Sequence, residues 1–348
     1  MTALRDDQGV PVGLSFAHTP ETPSTQVSGH PERNTGGNES HVVVPLISRA
    51  RAARTPEHPA HPAERQTPRV GSGRQGRGLG TARLLALANS LSARDRAVVD
   101  LLHEHRFLTT THLYALLFEE KHANAGTGMR VCRRVLARLH RHHLIQQLPR
   151  RVGGYGAGSS AGVWFLTPTG QRLRSLTRGD GVTLPPARLR DPSTRFVAHT
   201  LAVADIRVRL HQAARAGQFA VRWLETEPHC WRPYLGMHGA REILKPDLAL
   251  TTVSADGQYE DSWFIEVDLG TEHLPTVLGK CGQYETYRRT GTEQDQRGVF
   301  PLVVWITMTD ERADKLRAGV HRTQSLDEAL HRVITPGQLS ALITGGAS

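Results

Sequence analysis

The chain has 348 residues, with 43 Lys and Arg against 33 Asp and Glu, a formal net charge of +10 and length enough for two domains and a tail. No apolar run approaches the length that spans a bilayer, and the first residues lack a basic stretch ahead of an apolar one, so neither a membrane anchor nor a secretory leader is expected. Three cysteines, Cys132, Cys230 and Cys281, stand far apart without a CxxC pair, which argues against a disulfide framework or a zinc knuckle and for a reducing cytoplasm.

Residues 1–80 are rich in Pro, Gly, Ser, Thr and His, with one aliphatic run, His41-Val-Val-Val-Pro-Leu-Ile47. Such a stretch buries too little apolar surface to offset its ordering entropy, so a disordered, basic, Pro-rich tail is expected. The positive excess lies further on. Residues 81–178 carry 15 Lys and Arg against 5 Asp and Glu, the footprint of a module that meets phosphates; a solvated basic surface is the plainer alternative.

Within that segment, Ser92 with Asp95 three residues later opens a helix over residues 91–102, an arrangement close to a capping box. One of Thr109 to Thr111 caps a second helix that runs to Phe118, and residues 129–143 form a third. At about 100° per residue, Cys132, Val135, Leu136 and Leu139 of the third helix fall in one apolar sector. Arg130, Arg134, Arg138 and Arg141 fall opposite, with Arg133 at the edge and no acid among them. A helix anchored by one face and carrying arginines on the other suits the major groove of double-stranded DNA. Residues 144–152 and 163–167 read as two strands around a glycine loop, with Arg150 and Arg151 where a wing could lie along phosphates. The expectation for residues 81–178 is a winged helix-turn-helix, closed by a helix over 169–176 and followed by a linker, 179–195.

Residues 196–320 read as helix (197–214), strand (220–225), strand (243–253), strand (263–268), helix (274–287), strand (301–308) and helix (310–318), with 321–348 as a C-terminal segment. Ala255-Asp-Gly-Gln258 carries the Asp-Gly signature of a hairpin turn. Asp247 opens one strand of that hairpin. Glu266 and Asp268 close the other, and the pleat points both to one face, away from Ile265 and Val267. Three carboxylates gathered there suit Mg2+ or Mn2+, hard cations that would offset their repulsion. Acids facing solvent at strand ends are the plainer reading.

This αβββαβ order with acids on the second and third strands resembles the PD-(D/E)xK, or restriction-endonuclease-like, superfamily. The phrases LSARDRAVVDLLHEHRFLTTTHLYALLF, HTLAVADIRVRLHQAA and FIEVDLGTEHLPTVLGKCGQYETYRR more narrowly resemble the replication-relaxation proteins of actinobacterial plasmids and integrative elements, over residues 91–316. The resemblance implies an α+β protein, an N-terminal winged helix-turn-helix followed by a nuclease-like domain related to MOBC-class relaxases. It further implies an origin-like DNA site, partners in plasmid replication or conjugation, and nicking with a divalent metal. By motif, Asp247 and Glu266 would hold the metal. Asp268 stands where the superfamily's lysine is usual, with Lys280 on the next helix, or Lys245, as a replacement. Asp205 is a candidate fourth acid. His140-Arg-His142-His143 reads as DNA-facing or solvated, and Tyr284 and Tyr287 as packing residues, although Tyr284 lies one helical turn beyond Lys280. The departure at Asp268 leaves open a non-catalytic initiator or regulator that uses the fold as a binding platform.

Overall fold

The computed structural model describes residues 80–121, 124–149, 162–179, 192–236 and 239–347. The expected tail up to residue 79, Arg150 and Arg151, most of the glycine loop and most of the linker lie outside the described residues. The protein is mixed α+β.

Its first part comprises helices α1 (Thr81–Ser90), α2 (Ala93–His105), α3 (Thr110–Leu117), α4 (Ala125–Arg141) and α5 (Pro168–Arg178), with strands β1 (Leu108–Thr109), β2 (Ile145–Gln147) and β3 (Val163–Leu166). Helix α2 begins where its cap dictates. Ser92 Oγ accepts from the Asp95 amide at 3.2 Å, and Asp95 Oδ2 accepts from the Ser92 amide at 2.9 Å, an exchange worth about 1 kcal/mol. Thr109 caps α3 in the same reciprocal way with His112. Helix α4 starts four residues before the expected Met129, because Asn124 Oδ1 accepts from the amides of Gly126 and Thr127; the cap offsets the low helix propensity of two glycines that read as a loop.

The three strands form an antiparallel sheet in the order β1-β3-β2, with Leu108 opposite Trp164 and Ile145 opposite Leu166. Val98, Leu102, Leu108, Leu113, Leu136 and Leu139 fill the core beneath it, each contributing about 1.5–3 kcal/mol by leaving water. Gly170 of α5 runs so close to β2 that a Cβ there would lie 2.1 Å from the Leu144 carbonyl oxygen.

The second part begins with the long helix α6 (Thr194–Arg215) and continues through β4 (Phe219–Thr226), β5 (Arg232–Leu235), β6 (Arg241–Leu244), β7 (Leu248–Ser254) and β8 (Glu260–Asp268). Then come α7 (Leu274–Arg289), α8 (Thr292–Arg297), β9 (Leu302–Thr307), α9 (Asp310–Arg322), β10 (His331–Ile334) and α10 (Leu339–Gly345). Five strands make one sheet in the order β10-β9-β8-β7-β4, antiparallel from β4 to β8 and parallel from β8 to β10.

The single strand expected over 243–253 is broken at Lys245-Pro246-Asp247. Pro246 has no N–H for a ladder, so β6 pairs with β5 in a separate two-stranded sheet while β7 joins the main one. The C-terminal segment adds a fifth strand and α10. Helices α7 and α9 cover one face of the sheet, packed on Phe264, Val303 and Trp305. Helices α6 and α10 cover the other, packed on Trp263, Ile265, Val267 and Ile306. The alternation of β8 thus sends Glu266 toward α7, as the pleat requires.

The two parts meet along α6. Phe107, Leu148, Val163 and Phe165 share an apolar cluster with Val197 and Leu201. Around it Arg207 pairs with Glu104, Arg215 with Glu119 at 2.9 Å, and Thr226 Oγ1 donates to the Glu104 carbonyl at 3.0 Å. No helix among the described residues is long and apolar enough to cross a membrane.

Candidate functional site

Asp247 lies just ahead of β7, opposite Glu266, and is almost fully buried. Its amide donates to the Ile265 carbonyl at 3.2 Å, and its Oδ2 accepts from the Val267 amide at 2.8 Å. His199 of α6 reaches the same spot from the other side of the strand. Its Nε2 lies 3.3 Å from Asp247 Oδ2 and 3.1 Å from the Val267 carbonyl oxygen.

Glu266 is held from α7. Lys280 Nζ donates to Oε2 and the Tyr284 hydroxyl to Oε1, each at 2.5 Å. Lys280 and Tyr284 are four residues apart, so both project from one helix face. Tyr284 is fully buried, with its ring against Phe264 and Trp305.

The charges in this cluster govern one another. Burial raises Glu266 to about 7; Asp247 adds to the rise, and Lys280 and Tyr284 oppose it. Burial also pushes Asp247 upward, yet the His199 hydrogen bond, the Lys280 and His199 charges and the Val267 N–H outweigh it and hold Asp247 below its usual range. Burial disfavours the imidazolium of His199, but the hydrogen bond and charge of Asp247 with the field of Glu266 raise it to about 9. Lys280 is raised by Glu266 and Asp247 against its own desolvation. Tyr284 is pushed well above 10 by burial and by Glu266, so its proton stays on the phenol and in the hydrogen bond. A nucleophilic phenolate is not what this environment favours.

Asp268 stands apart from the pair. Its Oδ2 accepts from Arg312 Nε of α9 at 2.6 Å and its Oδ1 from the Gly270 amide at 2.8 Å. Arg312 also donates to the Glu272 carbonyl at 2.8 Å. Among the described residues no group of three or more His, Cys, Asp or Glu side chains is placed to hold a metal ion. The oxygen donors of the kind a hard cation takes are the carboxylates of Asp247 and Glu266, and both Glu266 oxygens accept from Lys280 and Tyr284.

The other candidates lie elsewhere. Lys245 Nζ sits 4.7 Å from the centroid of the Trp231 ring. Asp205 takes a hydrogen bond from His112 Nε2 at 2.8 Å across the junction of the two parts. His140 Nδ1 bonds the Ile145 carbonyl at 3.1 Å, whereas His142 and His143 are exposed. Tyr287 donates to Glu293 at 2.6 Å, in the core. Helix α7 starts after His273 without a side-chain capping hydrogen bond.

His199 escaped the sequence reading. Its signal was present: with Val203, Ile206 and Leu210 it lies on the stripe of α6 that packs on the sheet, so it is the titratable residue on an otherwise apolar line.

Residues 99–303, more than half of the 348, match the family model described as replication-relaxation. The chain belongs to the replication-relaxation family. Membership suggests a part in the replication or relaxation of a plasmid or other mobile element. No curated protein and no solved structure matches the chain.

This replication-relaxation protein carries a second charged feature on α4. Cys132, Val135, Leu136 and Leu139 are buried, and Arg130, Arg133, Arg134, Arg138 and Arg141 are exposed on the remaining face. Arg138 is committed to Asp95 at 2.5 Å, and Arg130 donates to Thr127 Oγ1 at 3.3 Å. Arg133, Arg134 and Arg141 form no ion pair among the described residues.

Proposed function

We propose that the protein binds double-stranded DNA at an origin-like site through a winged helix-turn-helix built from α2, α3, α4 and the β1-β3-β2 sheet. In this reading the second part, a PD-(D/E)xK-like domain, nicks one strand. The single observation that carries it is the convergence of Lys280 and Tyr284, from one face of α7, on Glu266 beside Asp247. A buried acid pair that also draws a lysine and a histidine is costly to assemble for stability alone and suits a reaction centre.

Asp247 and Glu266 would hold Mg2+ or Mn2+, which when bound supplies polarisation of a phosphoryl oxygen and a water of lowered pKa. The protein's own residues do the rest. Tyr284 fixes the Glu266 carboxylate in place. Lys280 supplies a fixed positive charge at the pair, where negative charge grows on a phosphodiester under attack. Arg133, Arg134 and Arg141 contact phosphates or base edges in the groove, with Arg130 and Arg138 flanking them. Partners would be plasmid replication or conjugation proteins in the cytoplasm.

A second reading is favoured by a specific observation: Glu266 already has both oxygens satisfied by the protein's own donors, and Asp268, at the position of the superfamily's usual lysine, is engaged by Arg312. It makes the protein a non-catalytic initiator or regulator on a degenerate nuclease fold.

Nicking of a supercoiled plasmid bearing the element's origin, with Mg2+ or Mn2+, separates the two. Open circles from the native protein, absent with Asp247→Ala and Glu266→Ala although both still shift the DNA, support the nicking reading. Equal binding by all three without nicking supports the second.

A further inference from the structure

Asp247 and His199 form one wall of a small cleft whose opposite wall comes from the other part of the molecule, the C-terminal end of α2. Glu104 and Arg106 line it there, and Thr226 and Glu227 line it from β4 and the turn beyond. Asp247 therefore faces the first part of the chain across this cleft.

Arg106 is unusual in two respects. It ends α2 at φ +63°, one of two non-glycine residues with positive φ among the described residues, a conformation that costs an L side chain of this size about 1 kcal/mol or more and that glycine adopts freely. It is also exposed, with no carboxylate partner among the described residues; its guanidinium lies 5.6 Å from the centroid of the Phe196 ring. Glu104 beside it is neutralised by Arg207 and Asp247 is paired with His199, so the anion along the cleft with no ion pair among the described residues is Glu227. A nucleic-acid strand lying across the opening of this cleft would be repelled by it. Arg106 is an exposed cation of the cleft's lining that offsets that repulsion, and a side chain resting on an aromatic face loses less entropy when it takes a phosphate bidentately.

From this we infer that Arg106 is a phosphate-binding residue of the acid site, so that the first part of the chain holds a single strand at Asp247 in addition to binding duplex through α4. The assignment rests on the proposed nuclease reading for its purpose, but strand binding can be measured without it.

The test is fluorescence anisotropy of a labelled single-stranded oligonucleotide with the full chain in EDTA, comparing native protein, Arg106→Gly, Arg106→Lys and Arg133→Gln. Arg106→Gly relieves the positive φ, so the fold is expected to keep or gain stability. Its dissociation constant should rise about tenfold, with the salt dependence shallower by about 0.7 in log–log slope, the value for one phosphate contact on a single strand. Arg106→Lys should recover part of the loss, and Arg133→Gln should weaken duplex binding more than it weakens oligonucleotide binding, the reverse of Arg106→Gly. Native protein that does not bind the oligonucleotide, or Arg106→Gly that binds it as tightly as native, overturns the assignment. If the Arg106 effect holds while the native protein nicks nothing, the hydrolytic reading fails and the strand-binding role of Arg106 stands.

Discussion

Arg312→Ala tests whether Asp268 is a fastening between β8 and α9 or a ligand of the acid site. The two groups lie 2.6 Å apart, with side-chain exposures of 16% and 5%. At that distance, with an effective dielectric constant near 20, the gross attraction is about 6 kcal/mol, most of it offset by desolvation of both ions. Removing the arginine alone leaves the carboxylate buried with one amide donor, a loss of about 3–5 kcal/mol, or roughly 10 °C in Tm for a folded region of this size. Asp268→Leu with Arg312→Leu removes both charges and should recover most of it, so a double-mutant cycle in urea gives a coupling well above 1 kcal/mol. Calorimetric titration with Mn2+ completes the assay: Asp268→Asn, studied below its lowered Tm, keeps near-native binding, whereas Asp247→Asn and Glu266→Gln lose it. A coupling within about 0.5 kcal/mol of zero, or loss of Mn2+ binding in Asp268→Asn to the extent seen in Asp247→Asn, refutes the reasoning.

In EDTA the cluster sets a pH dependence. Glu266, raised from 4.5 to about 7, contributes stability that is full below 4.5 and gone above 7, and His199, raised from 6.5 to about 9, contributes stability that is full below 6.5 and lost toward 9. The urea midpoint should accordingly fall between these limits, with Glu266→Gln flattening the lower half and His199→Gln the upper. Arg133→Ala and Arg134→Ala should each weaken duplex binding and reduce the log–log salt slope by about 0.9, as a salt series in anisotropy would read. Arg138→Ala should differ in kind, lowering Tm as well, because it unpairs the buried Asp95. Gly170→Ala, which raises intrinsic helix propensity, should nonetheless destabilise by about 1–3 kcal/mol, since its methyl meets the Leu144 carbonyl; unchanged urea unfolding would count against that close approach.

Local chemistry was legible in the chain, and long-range pairing was not. The Ser92–Asp95 box, the Asp-Gly hairpin and the divided faces of α4 each depend on residues a few positions apart, and each lies where the pattern puts it. Lys280, a candidate replacement lysine by the resemblance, reaches Glu266, and Tyr284, expected to pack, packs and also donates to Glu266. The destination of Asp268 depends on Arg312, 44 positions later on another helix, and no spacing rule reaches that far. Strands β5 and β6 were missed or merged because Pro246 interrupts a ladder without interrupting the apolar texture. Strand β10 and α10 went unread for want of a clear period in so short a segment.

Phe107, Val163 and Phe165 from one part and Val197 and Leu201 from the other share a single apolar cluster, ringed by the Glu104 and Glu119 ion pairs. The arginine face and the acid pair are therefore built on a common frame, and under the proposed function that frame acts as a ruler. The number of base pairs between the sequence recognised and the bond addressed becomes a dimension of the protein, with the helical phase of DNA fixed along with it. Five base pairs inserted between them, about half a turn of the duplex, would carry the bond to the far side of the helix from Asp247 while leaving recognition untouched.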